Sequence, residues 1–115
     1  MNNRNAALKA EAKRQEIPMG VYAIRNQVTG EVFLGASLNL TAILNRHRFG
    51  LIHGGHPHAA LRAAWRRDGA ENFTFEILDR LAARDEPNPD YPGELATMRA
   101  LWVVELGSRV ADILT

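Results

Sequence analysis

Five arginines fall close together in this chain, Arg46 and Arg48 followed by Arg62, Arg66 and Arg67. A guanidinium group offers paired N–H donors that match two phosphate oxygens, so the cluster points to recognition of a nucleic-acid backbone. The competing reading is a solvated helix face, since Leu61, Ala64 and Trp65 alternate with Arg62, Arg66 and Arg67, and Asp68 and Glu71 stand ready to neutralise part of the charge. His53, His56 and His58 crowd a glycine loop. Imidazole is a common metal ligand, but three loop histidines without a carboxylate or cysteine partner are a weak set, and no metal site is assigned.

The formal charge of +1 conceals an asymmetry: residues 1–75 carry ten Arg/Lys against five Asp/Glu, and residues 76–115 carry four against eight. One face could therefore meet an anionic polymer, and a solvated surface of uneven charge is the competing reading. At 115 residues, with 46% apolar and 23% charged side chains, the chain suits one folded domain rather than disorder. No apolar run approaches the roughly 18–20 residues of a membrane helix, so no membrane partner is expected. Met1 to Glu16 lacks the apolar stretch of a secretory signal. The absence of cysteine excludes disulfides, thiolate zinc sites and a cysteine nucleophile, and fits the cytoplasm.

The elements that must position these side chains follow from periodicity. Residues 1–18 read as an N-terminal helical arm ended by Pro18, and residues 19–115 as the folded domain. A strand through Val21 to Ile24 and a second over Glu31 to Leu34 flank the turn Asn26-Gln27-Val28-Thr29-Gly30, the pattern of a β-hairpin. Gly35-Ala36-Ser37 is expected to break the second strand. Ser37 or Asn39 can cap a helix in which Leu40, Ile43, Leu44, His47 and Leu51 recur on one face. A second helix runs Ala59 to Arg67 and closes at Gly69. Asn72 to Leu78 alternates as a third strand. Asp85 to Gly93 reads as a loop, and Glu94 to Leu106 as a last helix with Leu95, Met98, Leu101 and Trp102 turned inward. The implied fold class is α+β, a three-stranded, mostly antiparallel sheet flanked by helices.

Gly20-Val21-Tyr22, with Phe33-Leu34-Gly35 about ten residues on, resembles the two halves of the GIY-YIG nuclease motif. The likeness continues through Ser37-Leu38-Asn39-Leu40, His47, Gly54-Gly55-His56, Ala64-Trp65, Gly69, Glu71-Asn72-Phe73 and Trp102. The resemblance implies a sheet flanked by helices and cleavage of a DNA phosphodiester with one divalent metal. In that family a tyrosine helps activate water, an arginine steadies the phosphate and a glutamate holds the metal. Matched position by position, the first tyrosine is Tyr22, the second falls on Phe33, the arginine on Ile43 and the glutamate on Arg99. Tyr22, His47 and His56 are the residual motif positions. Phe33 and Ile43 read as apolar filling of the former pocket, worth about 1.5–3 kcal/mol each if fully buried.

The expectation is a GIY-YIG-like domain that binds DNA through Arg46, Arg48, Arg62, Arg66 and Arg67, with a degraded centre and no cofactor. Two alternatives stand beside it. One is an active endonuclease, dependent on Mg2+ or Mn2+, with its site rearranged around Tyr22, His47 and Arg46. The other is a protein-interaction module on the same fold.

Overall fold

Met19–Asn26 is an almost wholly buried run, MGVYAIRN, and becomes the central strand β1. Near-continuous burial is what a strand covered on both faces requires. The computed structural model describes residues 17–114, so the N-terminal helical arm expected before Pro18 lies almost entirely outside the described residues. The turn after β1 is tied by the Gly30 N–H donating to the Asn26 carbonyl at 2.8 Å, and by the Asn26 N–H donating to Glu31 at 2.8 Å. β2, Val32–Ser37, then pairs antiparallel with β1 and sets Tyr22 opposite Gly35.

Asn39 caps α1, Leu40–His53, accepting the Ala42 N–H at its side-chain oxygen at 3.0 Å, and Gly54 ends the helix with φ 78°. Ser37 contributes too, its hydroxyl oxygen accepting the Asn39 N–H at 3.0 Å. Helix α2, Ala59–Asp68, is closed by Gly69, and a short 3-10 turn leads into β3, Phe73–Leu81, antiparallel to β1 on its other side. Asp90 caps α3, Tyr91–Leu106, which a second 3-10 turn links to β4, Val110–Ile113. The sheet order is β3-β1-β2-β4, with β2 and β4 parallel.

Strand alternation divides the core. Tyr22, Ile24 and Phe33 point to the face covered by α1 and α2, where Leu40, Leu51, Leu61 and Ala64 meet them. Val21, Ala23, Val32 and Leu34 point to the opposite face, under Met98, Trp102 and Leu106 of α3.

Four departures from the sequence expectation have physical causes. The sheet has four strands rather than three. The extra strand has four residues, of which Val110 and Ile113 are half-buried, so it carries no alternating signal. β2 runs through Gly35 to Ser37 instead of breaking there, because Gly35 is required by the ring of Tyr22 and not by a turn. α3 starts at Tyr91, since Asp90 supplies the cap and Pro92 sits in the first turn, where no N–H is needed. Leu101 points outward at 66% exposure. It stands about 240° round the helix from Leu95 and off the stripe of Leu95, Met98 and Trp102.

Candidate functional site

Tyr22 is fully buried, and Gly35 across the hairpin makes room for it. A Cβ at position 35 would overlap Cζ and Oη of the phenol. The hydroxyl reaches Nε2 of His47 at 2.7 Å, and His47 Nδ1 reaches Nε2 of His56 at 2.7 Å. The chain ends at the main chain, where the His58 N–H donates to His56 Nδ1 at 3.0 Å.

That last contact assigns every proton behind it. A backbone N–H can only donate, so His56 Nδ1 must accept and, in a neutral ring, Nε2 carries the hydrogen. His56 therefore donates to His47 Nδ1, and His47 Nε2–H donates to the Tyr22 oxygen. The imidazole beside the phenol offers a hydrogen and has no lone pair free to receive one from Tyr22. The electrostatics agree. Burial pushes the Tyr22 phenol up to about 12, with the Arg99 guanidinium acting in the lowering direction. Burial, then the fields of His56, Arg46 and His58, pull His47 down to about 4. Burial also lowers His56.

The ring of His58, unlike its main-chain N–H, is held apart from this hydrogen-bond chain. Its Nδ1 accepts the Leu61 N–H at 3.3 Å as the α2 cap, and its Nε2–H donates to Asp112 of β4 at 3.0 Å. Its ring meets Phe33 edge-on, with centroids 5.8 Å apart. Arg62 fixes the same loop by donating to the His56 carbonyl at 2.6 Å. His53 lies away from both, its ring 4.2 Å from that of Phe49. The three histidines that share a loop in sequence thus have three separate jobs.

The donor set does not fit the divalent ion that the sequence resemblance implies. Both Nδ1 atoms of the His47–His56 pair are occupied as acceptors, and both Nε2 atoms carry hydrogens. Among the described residues no three His, Asp or Glu side chains converge in a metal-ligating group. Arg99 is half-buried on α3 and makes no ion pair among the described residues. Glu94, an acid on the same helix, is paired with Arg84. Phe33 is buried, whereas Ile43 is only half-buried and lines open cavities instead of filling one.

The five arginines separate into two groups. Arg67 pairs with Asp68 at 2.7 Å and lies 3.9 Å from Glu31, and Arg62 is bound to the His56 carbonyl. Arg46, Arg48 and Arg66 are exposed and make no ion pair among the described residues. The Arg48 guanidinium stacks 4.4 Å over the Phe75 ring, which steadies it without neutralising it. Sequence reasoning missed Asp112 and the capping role of His58. His-Pro-His immediately before a helix was the available signal for the cap. Asp112 had none, because its partner lies 54 residues away.

The class that this architecture defines is a GIY-YIG-like α+β domain with a four-stranded mixed sheet. Two solved structures share it. One is the catalytic domain of homing endonuclease I-TevI, with a TM-score of 0.66 at 21% identity over 84% of this chain and 99% of that one. The other is a point mutant of the catalytic domain of intron endonuclease I-TevI, with a TM-score of 0.63 at 22% identity over 81% and 88% of the two chains. No family model matches this chain, and no curated protein matches it significantly.

Proposed function

We propose that this domain binds DNA through backbone phosphates and does not cleave it. The observation that carries the reading is the state of Tyr22: no exposure to solvent, a phenol pushed up to about 12 and an oxygen already accepting from His47. A general base must reach the proton it removes and must itself be able to lose one. Tyr22 meets neither condition. Ile43 and Arg99 stand where the sequence resemblance puts a phosphate-steadying arginine and a metal-holding glutamate, which supports the same conclusion. The likeness in fold to a homing endonuclease catalytic domain makes DNA the natural polymer for Arg46, Arg48 and Arg66, which make no ion pair among the described residues. A chain without cysteine suits a reducing cytoplasm, where such a partner is available.

The test is supercoiled plasmid incubated with excess protein and either Mg2+ or Mn2+. No nicking is expected, together with retardation of the plasmid at low salt. Metal-dependent cleavage abolished by Tyr22→Phe would establish the rearranged nuclease instead. The outward pair Leu101 and Val104 on α3, 66% and 79% exposed, favours protein interaction as the second reading. Failure to bind any DNA at low salt would select it.

A further inference from the structure

The outward side of α1 carries a feature that duplex phosphate binding does not use. Phe49 is a large aromatic left 67% exposed. Its ring lies 4.2 Å from that of His53, inclined by 42°. Beside it opens a cavity of about 390 Å³ between α1 and the loop at Gly55, with Ile43 and Pro57 among its apolar walls. A second cavity of about 380 Å³ continues past Ser37, Asn39 and Ala42. The two share Ile43 and Arg46, so one cationic residue borders both hollows. Among the described residues, no acidic side chain lines either of them.

We propose that this groove takes an unpaired stretch of a DNA strand, with a base stacked against Phe49 and the neighbouring phosphate held by Arg46. The chemistry matches point by point. A flat π surface stacks on an exposed aromatic, and a cation bordering both hollows suits the anionic link between successive nucleotides. A groove with no acid among its described residues does not repel that link. Gly55 leaves the mouth open, since a Cβ there would meet nothing within 4 Å. The polar floor, His47 and His56, has its ring nitrogens committed to one another, to Tyr22 and to the His58 N–H, so it reads no base edge. Stacking here is therefore indifferent to sequence.

This inference rests on the reading that the domain binds DNA, and the experiment separates the two. Three probes are titrated by fluorescence anisotropy at one ionic strength: an oligothymidylate, an abasic strand with the same number of phosphates, and a duplex. The parent protein should prefer the oligothymidylate over the abasic strand by on the order of 5- to 150-fold, the range that stacking one base supplies. Phe49→Ala should erase that preference and leave duplex affinity unchanged, while Phe49→Trp should keep it. Equal binding of the two single strands by the parent overturns the stacking site, as does a preference that survives in Phe49→Ala. Duplex binding that persists in those cases leaves the proposed function standing. Absence of binding to all three probes overturns both.

Discussion

Acid should weaken this fold well above the pH at which carboxylates usually matter, and His47 is the reason. Above pH 6.5 its imidazole is neutral in both the folded and the unfolded chain. Below that, the unfolded chain takes up a proton at the ordinary value of 6.5, whereas burial holds folded His47 neutral down to about 4. The unfolded state then binds more protons, so stability falls as the pH drops through this window and levels off beneath it. A displacement of about 2.5 units at about 1.36 kcal/mol each gives about 3 kcal/mol in all, of which about 2 kcal/mol is lost before pH 5. The geometry explains the resistance: a proton on His47 Nδ1 would face the N–H of His56 across 2.7 Å. His56, itself lowered, adds in the same direction. Glu76, Asp68 and Asp112 have lowered values and favour the folded state above their unfolded range, so their loss belongs to lower pH. The assay is urea unfolding followed by tryptophan fluorescence at pH 7, 6 and 5, for the parent and for His47→Gln. Glutamine can donate to Tyr22 and accept from His56 but does not titrate. Its stability should lose at least half the parent's slope over this range. Equal slopes in the two proteins, or a parental loss under about 0.5 kcal/mol, would refute the assignment.

Gly35→Ala should force the Tyr22 ring away from His47, combining overpacking with a lost buried hydrogen bond. A cost of about 2–4 kcal/mol and a fall in Tm of about 10 °C or more are expected by calorimetry, whereas Gly55→Ala, facing open space, should change Tm little. Duplex binding should show a log–log salt slope of about −3 if Arg46, Arg48 and Arg66 each neutralise one phosphate. Replacing all three by alanine should flatten it by nearly that amount, while Arg67→Ala, already paired with Asp68 and near Glu31, should leave it nearly unchanged.

What could be read in advance was whatever rests on local spacing. The hairpin, the two helices after it and the third strand all follow from short-range periodicity and capping. The register that sets Tyr22 opposite Gly35 is implied by the length of the Asn26–Gly30 turn. The Gly35 prediction failed because a glycine that admits a ring and a glycine that ends a strand look alike in sequence. β4 was invisible because its ladder joins Val32 to Val110 and nothing nearby in the chain announces it. The site was legible as a list of positions, Tyr22, Phe33, Ile43, His47, His56 and Arg99. Its logic was not, since the direction of the hydrogen-bond chain depends on one main-chain N–H at His58. The division of the arginines likewise depends on where Glu31 and the His56 carbonyl come to lie.

The parallel ladder between β2 and β4 has a kinetic consequence. The hairpin of β1 and β2 joins residues no further apart than Gly20 and Ser37, but β4 reaches β2 only after α1, α2, β3 and α3 have intervened, and closing so long a loop is slow. The outer edge of β2 should therefore stay unpaired through most of folding, and its amides should gain protection last in pulsed hydrogen exchange. β4 also brings Asp112 to His58 and precedes Leu114, which is buried in the same core as Tyr22. Arrival of this segment is thus the step that anchors the His58 loop and completes the packing around the tyrosine.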